Sequence, residues 1–337
     1  MRTLRPATAT ATATAALAVG LWLPGTAATA AIPLPVFCNG VVATIVGTAG
    51  PDSLVGTPGD DVIAALGGND RVSAGPGNDL ICLGEGNDAL DGGAGNDTSV
   101  AEAGADGSDG FAGGEGSDTA RYAARSVFLA VSLDDVPDDG ASGEGDNNHL
   151  DVENVVGGTA TNSLRGSDAP NRLIGGADDD VVHGFGGNDT LVGLGGDDFF
   201  MDGAGDDSVD GNDGDDFVLA SKAPDGADTY VGGDGADSVS YAVRNTSVRV
   251  FLDGAANDGG GSVGEGDNVG GPQNDVEHVV GSAAADRLDV RAFFGGAWLE
   301  GLAGADALVS RNGVVDRVDG GADTCLADAT DAVISCP

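Results

Sequence analysis

A nine-residue repeat runs through most of this chain and places narrow limits on its fold. From Gly47 the sequence divides into GTAGPDSLV, GTPGDDVIA, ALGGNDRVS, AGPGNDLIC, LGEGNDALD and GGAGNDTSV. Each unit has a glycine-rich half and an aspartate at its sixth position, and all but the last have an apolar residue at the eighth. Glycine permits the positive φ of tight turns, and a lone apolar residue between polar neighbours points to one side of a strand. Each unit is therefore predicted to be one turn followed by one short strand.

The same spacing returns in a second array and decays in a third. The second array begins with Asn162 and Asn171 at sixth positions, and the third retains only Asp286 and Asp306. One step of twelve residues occurs near the end of each of the first two arrays. Including the positions after that step, the sixth-position aspartates are Asp52, Asp61, Asp70, Asp79, Asp88, Asp97, Asp109 and Asp118 in the first array, and Asp180, Asp189, Asp198, Asp207, Asp216, Asp228 and Asp237 in the second. Disordered low-complexity sequence would share the composition without this spacing.

Two related inserts separate the arrays and indicate duplication of one module, which consists of an array and the insert that follows it. The motif Tyr-Ala-Ala-Arg at 122–125 corresponds to Tyr-Ala-Val-Arg at 241–244, and Gly-Glu-Gly-Asp-Asn occurs at 143–147 and 264–268. The predicted organisation is a signal peptide at 1–30, an N-terminal cap segment at 31–46, repeat array 1 at 47–120, insert 1 at 121–156, repeat array 2 at 157–240, insert 2 at 241–280, degenerate repeats at 281–319 and a C-terminal disulfide cap at 320–337.

The first thirty residues have the pattern of a secretory signal. Arg2 and Arg5 precede an apolar stretch that ends at Leu23, and small residues around Ala28 and Ala30 suit signal peptidase. The apolar stretch is shorter than the about 18–20 residues that a membrane span needs. The sequence therefore predicts a secreted, extracellular protein without a membrane span.

Four cysteines remain after the signal, at Cys38, Cys82, Cys325 and Cys336. An even number in an exported chain favours two disulfides, for which three connectivities exist. Proximity in the sequence favours Cys325–Cys336, which leaves Cys38–Cys82. No pair has the short C-x-x-C spacing of a zinc or redox site, so the cysteines are interpreted as structural.

The charge of the chain indicates the kind of partner that the repeats need. Asp and Glu number 55 against 14 Lys and Arg, the net charge is −41, and Lys222 is the single lysine. Such a chain lacks the basic surface that binds nucleic acid.

If two units form one coil, unit n stacks on unit n+2 and brings Asp70 beside Asp88. Facing carboxylates repel unless a cation lies between them. Calcium, which takes 6–8 oxygen ligands, fits better than magnesium or zinc, so multiple Ca²⁺ ions are predicted.

The segments GGAGND, GFGGND, GLGGDD and DGAGDD, each followed by one residue and then an apolar one, resemble the nonapeptide GGxGxDxUx. This is the calcium-binding repeat of the RTX, or hemolysin-type, family. The resemblance covers 47–120 and 157–240, and weakly 281–309. It implies an all-β fold, a parallel β-roll that is interrupted here by two inserts, with calcium between adjacent turns. By position it implies that the sixth-position aspartates given above are the ligands. The four that follow the twelve-residue steps are weaker candidates, namely Asp109, Asp118, Asp228 and Asp237.

The resemblance also guides the functional prediction. The layout resembles the stand-alone, secreted calcium-binding repeat proteins of high-GC Gram-positive bacteria, and not the members that carry a protease, lipase or pore-forming domain. We therefore expect a non-enzymatic protein with structural calcium coupled to folding. One alternative is an adhesin, a calcium-stiffened roll that presents outward strand residues to a cell-surface or matrix partner.

A hydrolase is a third and weaker interpretation. Residues 260–264 match G-x-S-x-G with Ser262 as nucleophile, and Asp275 and His278 follow. However, turn-forming residues surround the motif where a strand and a helix belong.

The acidic inserts raise a separate question, because Asp146 or Asp267 could bind calcium there. We interpret these inserts as solvated acidic loops.

Overall fold

The computed structural model describes residues 34–223, 225–260, 265–270, 275–290, 295–310, 312, 314, 316–320, 324–327, 329 and 331–335. The chain divides into two units, Met1–Pro35 and Val36–Pro337. Leu34 and Pro35 are the described part of the first unit, and the predicted signal peptide lies outside the described residues. No helix long and apolar enough to cross a membrane occurs in the described ranges.

The described part of the second unit consists of short β-strands joined by turns. In the first module the strands are β1 (Phe37–Cys38), β2 (Val41–Val42), β3 (Ile45–Val46), β4 (Ser53–Val55), β5 (Val62–Ala64), β6 (Arg71–Pro76), β7 (Leu80–Cys82), β8 (Ala89–Ala94), β9 (Thr98–Val100), β10 (Gly110–Glu115), β11 (Thr119–Arg121), β12 (Leu129–Ser132), β13 (Gly140–Ala141), β14 (Asn147–Asn148) and β15 (Asn154–Val156). In the second array they are β16 (Asn162–Arg165), β17 (Arg172–Gly176), β18 (Val181–Gly186), β19 (Thr190–Gly195), β20 (Phe199–Ala204), β21 (Ser208–Asp213), β22 (Phe217–Leu219), β23 (Thr229–Asp234) and β24 (Ser238–Ser240). The remaining strands are β25 (Val248–Phe251), β26 (Gly259–Gly260), β27 (Asn268–Val269), β28 (His278–Val280), β29 (Arg287–Asp289), β30 (Trp298–Glu300), β31 (Ala307–Ser310), β32 (Arg317–Asp319), β33 (Thr324–Ala327) and β34 (Ala332–Ser335).

Alternate strands pair in parallel, so the chain winds as a solenoid with two sides. In the first array Val72 of β6 is opposite Leu90 of β8, and in the second Leu191 of β19 is opposite Val209 of β21. One side carries an 11-stranded sheet from β3 to β27 and then a five-stranded sheet that contains β25, β29, β31 and β33. The other side carries a five-stranded sheet from β4 to β14 and then an 11-stranded sheet that contains β12 and β34. The predicted all-β, parallel β-roll is confirmed, as is the stacking of unit n on unit n+2.

The core is the thin space between the two sides, and the eighth-position residues fill it. Leu164, Leu173, Val182, Leu191 and Phe200 are each 0% exposed. These side chains come alternately from the two sides, because consecutive units lie on opposite sides of the solenoid.

Glycine makes the tight stacking of turns feasible. At Gly196, φ is 101°, and a Cβ would collide with the backbone of Asp178 in the adjacent turn. An L-residue would be strained there and would also separate the two turns.

The inserts interrupt the repeat in the sequence, yet they add turns to the solenoid. In the first insert, β14 pairs with β10 and β15 pairs with both β11 and β17. Each insert also forms one antiparallel hairpin, β12 with β13 and β25 with β26. At the first hairpin a new sheet begins on one side of the solenoid, and at the second hairpin a new sheet begins on the other side.

A disulfide joins Cys38 of β1 to Cys82 of β7, as predicted. The bridge fixes the antiparallel β1–β2 hairpin to the start of the roll, and Cys38 is completely buried. Cys325 lies in β33, and its predicted partner Cys336 lies outside the described residues, so the second bridge stays a prediction.

Replacing Cys38 and Cys82 by serine should raise the calcium concentration needed for folding without abolishing binding. A typical disulfide contributes about 2–4 kcal/mol to stability, mainly by restricting the unfolded chain. Calcium binding should persist, because neither cysteine is one of the proposed ligands. Calcium titrations followed by circular dichroism measure the shift. The same titration of the double variant with reductant separates any contribution of Cys325 and Cys336. An unchanged midpoint in the double variant would show that the bridge does not stabilise the roll.

Candidate metal sites between the turns

The sixth-position aspartates share one geometry, in which each carboxylate spans two stacked turns. In the centre of the second array, the backbone N–H of Asp180 donates to Oδ1 of Asp198 at 2.7 Å, and the N–H of Asp198 donates to Oδ1 of Asp216 at 2.8 Å. All three residues are buried. The solenoid therefore places carboxylates eighteen or twenty-one residues apart in continuous columns, as the repeat spacing predicts.

Every sixth-position aspartate that the sequence indicated as a ligand falls into such a column. Linked N–H to Oδ1 from turn to turn, the columns are Asp52, Asp70, Asp88 and Asp109; Asp61, Asp79, Asp97 and Asp118; Asp180, Asp198, Asp216 and Asp237; and Asp189, Asp207 and Asp228.

The second oxygen of most of these carboxylates is buried without a hydrogen-bond partner. The unpartnered Oδ2 atoms belong to Asp70, Asp79, Asp88, Asp97, Asp118, Asp189, Asp198, Asp207, Asp216 and Asp237. A buried charged oxygen without a partner is costly. A cation at each Oδ2 would remove that cost.

Backbone oxygens lie beside these Oδ2 atoms. Five residues before Asp198, the absent side chain of Gly193 leaves a space bordered by Asp198 Oδ2 and the carbonyl oxygen of Gly211 in the adjacent turn. The equivalent space at Gly211 is bordered by Asp216 Oδ2 and the carbonyl of Gly232. Carboxylate and carbonyl oxygens are the ligands that calcium prefers, so the donor set fits calcium.

Burial raises the pKa of several column carboxylates. It raises the pKa of Asp198 to about 8, with further contributions from the neighbouring carboxylates of Asp216 and Asp180. The pKa values of Asp189 and Asp216 rise to about 7 for the same reasons. At the start of its column, by contrast, Asp61 has a lowered pKa, chiefly because it accepts the Thr57 backbone N–H. Asp189, Asp198 and Asp216 therefore hold a proton more readily than an exposed aspartate does.

Without calcium, we expect acid to stabilise the folded chain. The raised folded-state pKa values of about 6 to 8 lie above the about 3.9 of an unfolded aspartate. The folded state then binds more protons than the unfolded state between these values, so its stability is undiminished near pH 4 and falls as the pH rises through 6 to 8. Circular dichroism of metal-free protein, prepared by dialysis, should show more β-structure at pH 4–5 than at pH 8.

Calcium and protons should also compete, because calcium binds the deprotonated carboxylates. The calcium concentration at half-saturation is expected to be higher at pH 6 than at pH 8, whereas the concentration at half-folding should be lower at pH 6, because protons also stabilise the folded state. A half-saturation concentration that stayed constant or fell on acidification would contradict the assignment of the raised pKa values to the binding columns.

Comparison with protein families agrees with this geometry. The family model described as the RTX calcium-binding nonapeptide repeat matches residues 46–81, 83–107, 156–191, 183–218 and 225–240. The chain contains RTX calcium-binding repeats. No curated protein matches the chain.

Two RTX sixth positions carry asparagine, and the structure shows how they fit. Asn162 donates from Nδ2 to Oδ1 of Asp180 at 2.8 Å, and Asn171 donates its backbone N–H to Oδ1 of Asp189. An amide N–H next to a carboxylate supplies the hydrogen that a facing carboxylate lacks. The first turns of the second RTX array therefore keep the column geometry with a lower negative charge.

The interpretation of the inserts as solvated acidic loops is wrong for Asp146 and Asp267. Both are buried, and both continue a column, with the N–H of Asp109 donating to Asp146 Oδ1 and that of Asp228 to Asp267 Oδ1. Burial raises the pKa of each to about 7. The physical reason is that the inserts complete turns of the solenoid. Glutamates continue the other columns in the same way, since Asp118 N–H donates to Glu153 Oε2 and Asp237 N–H to Glu277 Oε2.

The sequence analysis also missed two buried arginines, each in two ion pairs, that follow the twelve-residue steps. Arg125 pairs with Asp106 and with Glu144 Oε1 at 2.7 Å, and its side chain is 1% exposed. In the second module Arg244 makes the equivalent pairs with Asp225 and Glu265. The signal was present in the matching motifs at 122–125 and 241–244, and in the glutamates of the two Gly-Glu-Gly-Asp-Asn motifs.

The residues of the hydrolase alternative do not come together as a catalytic set among those described. Ser262 lies outside the described residues. His278 Nδ1 bonds with Ser238 Oγ, and Asp275 Oδ1 accepts the Gly232 backbone N–H at 3.1 Å. Both described members are thus engaged in contacts of the roll.

Proposed function

We propose that this protein is a secreted calcium-binding repeat protein in which several calcium ions lie between the stacked turns and drive folding. One observation carries the proposal: the buried, unpartnered Oδ2 atoms of the columns, several of which lie beside backbone carbonyl oxygens of the adjacent turn. The proposed ligands are the sixth-position aspartates, and each ion would neutralise charge and link two turns. The RTX repeats themselves indicate calcium binding.

Secretion is supported by the arginine-flanked apolar segment at 1–30 and by the disulfide between Cys38 and Cys82, since disulfides persist in oxidising compartments. Extracellular calcium would then load the roll after export. The proposed role is structural and not catalytic, because the column carboxylates are buried between the turns and supply no open substrate cleft.

Isothermal titration of the metal-free protein with calcium tests the proposal directly. We expect several ions to bind per chain, with release of protons at pH 7 because ions displace protons from carboxylates of raised pKa. Repeating the titration in buffers of different ionisation enthalpy measures that release. Absence of binding at millimolar calcium would reject the proposed function.

A second candidate, a calcium-stiffened surface-interaction protein, is favoured by one outward row of side chains. Phe199 stacks on Phe217 at 5.4 Å, and further along the same sheet His278 stacks on Trp298 at 4.2 Å. The guanidinium of Arg317 lies 4.0 Å from the Trp298 ring centroid, beside a groove of about 520 Å³. Aromatic rows of this kind offer flat contact surfaces to a partner.

Binding of the calcium-loaded protein to glycan arrays and whole cells tests this candidate. Phe199→Ser with Phe217→Ser should weaken such binding without changing the calcium titration, because both side chains lie on the outer face. Binding that is equal in the variant, or absent from the wild type, would leave calcium binding as the function.

A further inference from the structure

Three carboxylates that are not in one column meet near the end of the second array. One carboxylate oxygen each of Asp202, Asp225 and Asp228 lies within 4.8 Å of the other two. Asp228 is a sixth-position residue, whereas Asp202 occupies a first position, where most units have glycine or a small or apolar residue, and Asp225 lies in the twelve-residue step. The group is therefore separate from the sites that the repeat spacing predicts.

An unpartnered atom in this group points to a ligand. The Asp225 side chain is 6% exposed, and its Oδ2 is buried without a hydrogen-bond partner, while Oδ1 accepts from Arg244 at 3.2 Å. Arg244 is shared with Glu265, whose Oε1 is likewise buried and unpartnered. One guanidinium thus serves two carboxylates, and Asp202 and Asp228 add further negative charge.

Tyr230 shows the same shortage of positive charge. Its hydroxyl lies 2.5 Å from Asp202 Oδ2 and 3.2 Å from Asp228 Oδ2. A tyrosine hydroxyl has one proton to donate, so it satisfies one of the two carboxylates and leaves its lone pairs facing the other. Burial raises the pKa of Asp202 to about 6 and that of Asp228 to about 8.

The first module provides a natural comparison. There Arg125 pairs with Asp106 and Glu144 as Arg244 pairs with Asp225 and Glu265. The position of Asp202, however, is occupied by Leu83, and that of Tyr230 by Phe111, both buried. The second module has gained one buried carboxylate together with the hydroxyl that contacts it.

We propose that Asp202, Asp225 and Asp228 bind one additional calcium ion that is absent from the first module. The spacing fits one ion, because oxygens bound at the calcium–oxygen distance of about 2.3–2.6 Å lie no more than about 5 Å from one another. The ion would join β20 to the segment between β22 and β23, at the step where the nine-residue spacing is broken. It would hold that step against the adjacent turn of the second array.

Native mass spectrometry tests the proposal because it resolves the number of bound calcium ions. Asp202→Leu with Tyr230→Phe gives the second module the residues of the first, and we expect one ion fewer per chain at calcium concentrations that saturate the wild type. Asp213→Asn, which removes an exposed carboxylate of β21, is the control and should keep the full number. An unchanged number in the folded double variant would overturn the proposal.

Two further variants keep the test decisive if the double variant does not fold. Asp202→Asn preserves side-chain shape but weakens the site, so that ion should dissociate at a higher calcium concentration than the remaining ions, whereas an unaltered calcium series would reject the site. The reverse graft, Leu83→Asp with Phe111→Tyr, should gain one ion. If the repeats bound no calcium, the wild type would hold this single ion, so the two proposals fail separately.

Discussion

Metal-free protein at pH 7–8 should lack β-sheet circular dichroism, and millimolar calcium should restore the sheet signal and compaction in one transition. The chain has a net charge of −41, and its buried columns place carboxylates in consecutive turns with raised pKa values. Apolar burial comes mostly from one residue per unit, so the core alone is thin. Binding free energy then becomes folding free energy, because the sites exist only in the stacked turns.

Far-UV circular dichroism and small-angle X-ray scattering measure the two changes together. An unfolded chain of about 300 residues has a radius of gyration of roughly 60 Å, well above that of the folded state. Magnesium at the same concentration is the first control, since its strict octahedral geometry suits these sites poorly. Sodium chloride at equal ionic strength is the second, since it screens charge without bridging turns. A spectrum that is identical in chelator and in calcium would contradict coupled folding.

Asp198→Ala should raise the calcium concentration at half-folding by at least about 10-fold. Asp198 lies between Asp180 and Asp216, so the change leaves the Asp180 N–H without its acceptor and removes an Oδ2 from the column. A buried unsatisfied N–H costs about 1–3 kcal/mol, and loss of even indirect ligand support commonly weakens metal binding by about 10–100-fold. In a solenoid each unit depends on its neighbours, so a central break interrupts the stack on both sides.

Asp52→Ala is the matched control at the end of a column. Asp52 donates its N–H to Asp70 but begins the first column, and its own Oδ2 accepts from Thr48 within the same turn. We expect the calcium concentration at half-folding to rise by no more than about 3-fold, since the variant disturbs only the contact between the first two turns of the column. Equal shifts for Asp198→Ala and Asp52→Ala would contradict the stacking of sites in columns.

The repeat made most of the roll predictable from the sequence. Glycine, aspartate and an apolar residue recur together, and each has one physical role in the turn, the column or the core. The spacing of eighteen residues correctly predicted that Asp70 stacks beside Asp88. The apolar eighth position correctly predicted that Leu191 faces the core. The ligand roles of these aspartates remain predictions, which the titrations above test.

The inserts were less predictable because the columns continue there without the spacing. Glu153 reaches the acceptor position of an aspartate although it follows Asp118 by thirty-five residues. Its longer side chain compensates for a different backbone path, and no periodicity shows this. Arg125 and Asp106 meet for a similar reason, since the contact depends on how the insert folds back onto the array.

The central claim is that calcium ions bind between stacked turns, at the unpartnered Oδ2 atoms of the aspartate columns. Anomalous diffraction from crystals grown in calcium locates such ions directly. We predict a row of anomalous peaks along each column, including peaks within about 2.3–2.6 Å of Asp198 Oδ2 and Asp216 Oδ2. Well-ordered columns without anomalous peaks at saturating calcium would contradict the claim.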